Sequence, residues 1–561
     1  MFGWGFALLL LASIGVSESS GQTTPSPTPV PTPTPRPVEI SPAVLPDDPP
    51  PIAPNFEAAI RPLPSSERVG VDTANQLPIS LDKAVEMALQ NNNDIEASRN
   101  DVRISEFNLR FAEGAYDPNL SSQSFYESAT TPTASTIGGA TNGSVTVKRI
   151  FGTAGVSGFS PYSGGSYSAD FTTSRTVTSN TNATLNPQYP TNLTFRYTQP
   201  LFRGRRFDNT RRQIEIARKN LGLSDLQFRQ RAIEVVALVE RAYWDLAYAL
   251  RNLQVQIDAV KQARTQLESN QRMVAKGALA PINIVSANAQ ITTFEQNVYM
   301  AQEDVTRAEN SLKTLILSTR TANEWSQPII PVSEIGLVAP QVPLELATSE
   351  ALKNRPEVAQ LDQNSEINEV DERYYRDQTK PRVDLVGVYT MQGLAGGETV
   401  RSTNVPQNLI GGYFNSLGNL IQQDFPTYQV GVQISLPWGN RAAEANLGRT
   451  LVISDRIKNQ RSQTEQIIEA EVRNALQALR SAEARLTAAI ATRKSAEQMY
   501  ESEDRLFRAG TSTFYLVLQR QNDLVTARGR ELQAQTDLNK AISEFQRATG
   551  STLEANNVKI K

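Results

Sequence analysis

From residue 205 to residue 274 the chain has no proline and places an apolar residue every seven positions: Ala232, Val239, Leu246, Leu253, Val260, Leu267 and Val274. A second stripe of mostly small residues runs beside it through Val235, Ala242, Ala249, Gln256, Ala263 and Asn270. A heptad sustained this far predicts one long helix with a left-handed seam. At 1.5 Å per residue, roughly 70 residues reach about 100 Å. The pattern returns 233 positions later, with Val239, Leu246 and Leu253 matched by Val472, Leu479 and Leu486, and Ala242 and Ala249 by Ala475 and Ala482. The following segments repeat as well: Ile284, Ile291 and Leu312 match Val517, Leu524 and Phe545. Two tandem copies of a long helical hairpin are predicted. Heptads alone fit a generic coiled coil equally well.

Ahead of each hairpin the period differs. Residues 79–113 read as a helix, with Ser80 as N-cap and Leu81, Ala84, Val85, Ala88 and Leu89 on one face. This stretch is echoed 263 positions on, where Leu81, Ala84, Ala88 and Asn91 match Leu344, Ala347, Ala351 and Asn354. After Pro118 and its counterpart Pro381 the period becomes two. Val383, Leu385, Gly387, Tyr389 and Met391 alternate with mostly polar or small neighbours; so do Tyr428, Val430, Val432, Ile434 and Leu436, and so do Leu193, Phe195 and Tyr197. One apolar and one polar face suits a strand between lipid and water, and equally a soluble sheet with one wet face. The intervening loops, 128–190 and 393–424, are rich in Gly, Ser, Thr and Asn. The repeat offset falls from 263 to 233 here, leaving the first copy 30 residues longer. Alternation at Tyr167, Ala169 and Phe171 points to an extra hairpin in that surplus.

Composition narrows the chemistry. The 561 residues include no Cys and no His and carry a net charge of −3. Thiolate and imidazole catalysis, disulfides and Cys- or His-ligated metals are excluded, and no basic footprint for nucleic acid is present. No nucleotide-binding glycine-lysine loop occurs, so no enzyme activity and no cofactor are expected. An apolar run at 6–16 reads as the core of a signal peptide over 1–21, too short to span a bilayer. Residues 22–76 form a proline-rich linker, with 15 of the 32 prolines between 23 and 64. The first repeat then covers 77–318, a connector 319–343, the second repeat 344–550 and a polar tail 551–561. With no run of 18 apolar residues, passage through a membrane has to be as a β-barrel. Two strand pairs cannot close a barrel, so several chains have to contribute to one.

The order of these parts resembles the TolC-like outer membrane efflux protein family. Ile79-Ser80-Leu81-Asp82-Lys83-Ala84, continuing to Ala88-Leu89-Gln90-Asn91-Asn92, is similar to that family's opening helix. Gln199-Pro200-Leu201-Phe202-Arg203-Gly204, echoed by Leu436-Pro437-Trp438-Gly439-Asn440-Arg441, resembles its strand-to-helix junction. The turns Ala275-Lys276-Gly277-Ala278 and Arg508-Ala509-Gly510-Thr511 resemble its tips. The resemblance implies a mixed, mainly α fold. Long antiparallel helical hairpins form a periplasmic α-barrel continuous with a transmembrane β-barrel assembled from several chains, in two tandem repeats. It also implies a homotrimer with a twelve-stranded barrel in outer membrane lipid. Such a trimer is a passive duct that docks a periplasmic adaptor (membrane fusion) protein and, through it, an inner-membrane pump. A type I protein-secretion outlet is the rival within the family, and a coiled-coil envelope scaffold without a pore is the rival outside it.

Site expectations follow from the resemblance. Gly277, Ala278 and Leu279, with Gly510, Thr511 and Ser512, are the adaptor-docking tips; glycine in each also suits a left-handed helix end. Pro200, Gly204 and Arg205, and Pro437, Gly439 and Arg441, mark the strand-to-helix junctions. The arginines at 203, 205, 206, 211 and 212 read as solvated charges at the membrane boundary, or as a basic ring for anionic cargo. The pore entrance falls at Asn283, Leu516 and Gln519. Some family members carry aspartates at the positions of Leu516 and Gln519, and a latching carboxylate–arginine pair at those of Asn283 and Ser512. Neither can act here, so weak cation selectivity is expected. Single-channel reversal potentials in a salt gradient check this, and a strong cation preference overturns it.

Overall fold

The computed structural model describes residues 67–559, apart from 73, 135, 141, 335–338 and 401–403. The expected signal peptide and most of the proline-rich linker lie outside the described residues. The first copy opens with β1 (Leu77–Ile79), α1 (Leu81–Asn91) and α2 (Asn93–Glu113). Ser80 caps α1, accepting from the Lys83 amide at 3.2 Å. The single helix expected over 79–113 is two, because Asn92 sits in extended conformation and caps α2 through the amides of Asp94 and Ile95. Four strands follow: β2 (Asn119–Pro132), β3 (Ser144–Phe159), β4 (Ser166–Thr178) and β5 (Leu185–Pro200). The hairpin α3 (Asn209–Ala275) and α4 (Ile282–Ile316) and the short β6 (Ile329–Pro331) complete this half.

The second copy repeats the plan with α5 (Leu344–Asn354), α6 (Pro356–Gln378), β7 (Arg382–Glu398), a loop helix α7 (Tyr413–Ile421), β8 (Phe425–Ser435), α8 (Arg441–Arg508) and α9 (Phe514–Thr549). A short α10 (Thr552–Ala555) follows. The break between α5 and α6 again falls at the matching place, with Pro356 opening α6 where its missing N–H costs nothing.

Six of the strands form one antiparallel sheet in the order β2-β3-β4-β5-β7-β8. β2 and β7 follow the two matched prolines, and β5 and β8 lead into the two long helices. The hairpin β3–β4 is therefore the surplus in the first copy. A twelve-stranded barrel from three chains needs four strands per chain; the described residues supply six to this sheet. Register joins the apolar positions into one face. Leu385 lies opposite Val432, and Tyr389 opposite Tyr428, their rings stacked at 5.9 Å. Phe195 lies opposite Tyr389 and Ala169, and Tyr197 opposite Tyr167. The other face is polar: Thr194 bonds Thr390 at 3.2 Å, and Ser168 donates to Asp170 at 3.0 Å.

The helices form a layer that continues the sheet. α3 spans 67 residues and α8 68, the length predicted from the heptads. Near the sheet the order across the layer is α2-α3-α6-α8; toward the hairpin turns it is α4-α3-α9-α8. α2 begins where α4 ends, with Asn91 and Asn92 donating to the carbonyls of Ile316 and Leu315 at 3.2 and 3.0 Å. The predicted stripes form the seams: Ala232, Val235, Val239, Leu246, Ala249, Val260 and Ala263 are buried, as are Val472, Ala475, Leu479, Ala482 and Leu486. Each fully buried Val or Leu contributes roughly 1.5–3 kcal/mol. The small residues allow the helix backbones to approach.

Near the end of α4, a charged cluster ties the connector down. Lys313 is fully buried, pairs with Glu309 at 2.7 Å and donates to the Trp325 carbonyl at 2.8 Å. Glu309 also pairs with Arg68 and accepts from the Ile329 amide at 3.2 Å, fixing β6 beside its parallel partner β1. The segment 551–561, expected as a polar tail, packs Leu553 of α10 into the core around α3. From its last turn Asn556 donates to Glu240 at 2.7 Å. Burial raises the Glu240 pKa above the usual carboxylate range, and hydrogen bonds from Ser543 and Asn556 offset this only in part. Between the ordinary and the raised value the native state holds more protons than the unfolded chain, so stability falls as pH rises through that window. Glu240→Gln is therefore expected to raise the midpoint of thermal unfolding in detergent by a few degrees at pH 8. The gain should vanish as pH drops toward the ordinary carboxylate value.

Candidate channel wall and docking tips

The hairpin turns are built alike. α3 and α8 each end in a left-handed glycine, Gly277 at φ +69° and Gly510 at φ +77°. In both, the glycine amide bonds the carbonyl three residues back, Val274 or Phe507, and the next amide bonds the one five back, Met273 or Leu506. That is the Schellman helix stop, where a Cβ is costly for backbone reasons alone, since the space around both glycines is open. The two turns share one apolar cluster: Phe507, Phe514, Val517 and Ala287 are buried, with Leu279 and Met273 packed against them. The structure thus brings both expected tips to one end of the layer, with Gly277, Ala278, Gly510 and Thr511 exposed. Leu279 and Ser512 are half-buried, and Ser512 donates to Glu503.

Of the expected entrance residues, Asn283 turns back on its own helix start, donating to the Ala280 carbonyl at 3.2 Å, while Leu516 and Gln519 are exposed. A side-chain bridge joins the hairpins just behind them, Gln290 to Asn522 at 2.7 Å. Sequence reasoning missed the large apolar residues left in solvent beside the tips: Ile282, Val285 and Tyr515. They fall off the buried heptad register, and a pattern that finds the seam is blind to an exposed patch.

The two junctions fasten on one turn. Gly204, at φ +82°, donates its amide to Asp377 at 2.6 Å, and Asp377 pairs with Lys380 at 2.7 Å. Gly439 repeats the φ of +82°, and Asn440 donates to the Thr379 carbonyl at 3.1 Å. Pro200 and Pro437 sit at and just beyond their strand ends. Arg211 donates to the Arg205 and Arg206 carbonyls at 2.9 Å, and Arg212 pairs with Asp371 at 2.6 Å beneath the rings of Tyr374 and Tyr375. Two of the five clustered arginines thus hold the junction together; Arg205, Arg206 and, across the junction, Arg441 remain exposed.

The sheet's outermost strands are β2 and β8, nearly every residue of each exposed. Along β8 the exposed row is Tyr428, Val430, Val432 and Ile434, followed by Leu436. An apolar row beside an open edge has no place in water. Among the described residues no helix is long and apolar enough to cross a membrane. A tall sheet, apolar on one face and open at both edges, standing on four helices, is a sector of a membrane channel wall.

Residues 166–316 and 347–551 match the sequence model of the outer membrane efflux protein family. The chain belongs to this family, and is an efflux channel protein of the outer membrane, not an enzyme. No relative was matched among curated protein sequences. Solved channels share the fold. The outer-membrane channel OprN is 16% identical, with a TM-score of 0.59 over 86% of this chain and 94% of its own. The Campylobacter jejuni outer membrane channel CmeC is also 16% identical, at 0.59 over 84% and 86%. The open state of the Neisseria gonorrhoeae channel MtrE is 17% identical, at 0.54 over 84% and 89%.

A left-handed conformation costs a residue with a Cβ about 1–2 kcal/mol. Gly510→Val is therefore expected to loosen the second tip selectively. Hydrogen exchange should speed up across 505–515 and stay unchanged in the sheet.

Proposed function

We propose that three copies of this chain close into one passive export duct, whose tips dock a periplasmic adaptor protein that links it to an inner-membrane pump. The observation that carries this reading is the pair of open edges. The strands alternate in direction from β2 to β8, and six is an even number, so β8 of one copy meets β2 of the next in antiparallel pairing. Three copies of six strands give an eighteen-stranded barrel, and four helices abreast in each copy give a tube of twelve. Barrel diameter grows roughly in proportion to strand number, so this mouth is about 1.5 times as wide as a twelve-stranded one. Ile282, Val285 and Tyr515 around the glycine turns offer the adaptor an apolar contact. Residues 1–21 direct export and 22–76 act as a tether. The wide mouth also favours a second reading, an outlet for secreted protein, in which the same duct passes a polypeptide.

The chain contains no cysteine, which gives a clean background for cross-linking. One cysteine replaces Gln123 on β2, and a second is scanned from Gln429 to Val432 on β8. Mild oxidation in membranes is expected to give covalent dimer and trimer and nothing larger. A ladder running past the trimer, or no cross-link at any position, overturns the assembly. Partition of sized polymers into the open pore in planar bilayers then separates the readings: exclusion of all but small polymers removes the secretion outlet.

A further inference from the structure

The loop between β7 and β8 holds a helix whose polarity is inverted. In α7, Ser416, Asn419 and Leu420 face the sheet and are buried. The Ser416 hydroxyl lies 2.8 Å from that of Thr191, and the Asn419 amide donates to the carbonyls of Leu394 and Asn408, each at 2.8 Å. The side turned away from the protein carries Phe414, 84% exposed, and Ile421, 74% exposed, with Leu417 and Tyr413 beside them. A helix on a wet surface buries its apolar stripe and shows its polar one. Here the polar groups are satisfied inward and the outward stripe is apolar.

The register fixes which face of the sheet α7 covers. Thr191 and Gly393 are directly opposite each other and lie beneath the helix. They stand two residues beyond Leu193 and Met391 on the same face, in line with Phe195, Tyr389 and Tyr428. A Cβ on Gly393 would lie 2.0 Å from the Ser416 carbonyl oxygen, so glycine is what lets the helix seat this closely. Just past α7, Gln423 accepts from the Tyr389 hydroxyl at 2.9 Å. The helix thus rests on the apolar face, toward the loop end of the strands, just past the apolar band. It sits over β5 and β7, not over the open edge at β2.

We propose that α7 is an interfacial anchor, its Phe414 and Ile421 side chains inserted among the lipid acyl chains at the loop end of the barrel. Lipid is the occupant because the stripe continues the apolar face of the sheet, and the inference rests on reading that face as the lipid-facing one. Aromatic and aliphatic side chains are enriched at this depth, where a helix lying flat buries its apolar side in the boundary of the hydrocarbon. The anchor sets the height of the barrel in the membrane and covers β5 and β7 at Thr191 and Gly393, within the part of the strands nearer the loops.

Single cysteines at Phe414, Ile421, Val430 and the loop residue Asn404 are each labelled with a small fluorophore, and the full chain is reconstituted in phospholipid vesicles. Quenching is read with a nitroxide carried high on the lipid acyl chain and with aqueous iodide. Labels at 414 and 421 are expected to be quenched by the lipid nitroxide about twofold or more relative to Asn404, and to resist iodide. If they follow Asn404 while Val430 is quenched from the lipid, the anchor fails and the lipid-facing sheet stands. If both quenchers miss 414 and 421, protein covers the helix and the anchor fails as well. If Val430 too responds only to iodide, the reading of the sheet falls and takes the anchor with it.

Discussion

A backbone amide or carbonyl in hydrocarbon has no water to bond, and each one left unpaired costs several kcal/mol. This constraint governs the whole chain. Its sheet is well formed inside, with β3, β4, β5 and β7 each paired on both sides, yet β2 and β8 each present a bare edge. The apolar row from Tyr428 to Leu436 borders one of those edges. The monomer is therefore an incomplete object in its own solvent. The even strand count and the single layer of helices fit the same need for neighbours.

The helices meet a different requirement. They stand in water, so they hold together by buried stripes and not by backbone pairing between segments. α3 and α8 run unbroken from sheet to tip, while their neighbours change partway along, α4 giving way to α2 and α9 to α6. Asn92 and Arg355 mark those handovers. Asn92 caps α2 and reaches back to the end of α4; Arg355 pairs with Glu357 and Glu471 at 2.8 and 2.6 Å. The fully buried Glu309–Lys313 pair lies beside the first handover. Such pairs add little net stability but are costly to break, which suits a place where the connector must not slip.

Much of this was legible from residue patterns. The stripe through Val239 and Leu246 and its echo at Val472 and Leu479 found both long helices, because a seam repeated over many turns leaves few alternatives. Leu193, Phe195 and Tyr197 found β5, and Tyr428 to Leu436 found β8, because one face is apolar without interruption. β2 was legible only as a strand expected after Pro118, without assigned residues: Ser122 and Ser124 share a face with Leu120 and Tyr126 and dilute the alternation. Glu309 and Lys313, four apart on a helix, carry no mark in the sequence that sets them apart from a surface pair; only the connector closing over them buries them. α7 was hidden in a loop because only the fold shows that its polar side faces inward. The left-handed ends at Gly277 and Gly510 were legible. The apolar patch beside them was not, since Ile282 and Tyr515 leave no periodic trace.

The inserted hairpin β3–β4 bears on how two unlike materials share one rim. Neighbouring strands are about 4.8 Å apart, and in a barrel they lean by about 40°, so eighteen of them go round a perimeter of about 110 Å. Twelve helices standing 8–10 Å apart go round roughly 100–120 Å. With four strands per chain the sheet's girth, at the same lean, would be only about 75 Å. In the proposed assembly the additional hairpin brings the two girths into agreement, so the tube can pass from protein in water to protein in lipid without narrowing.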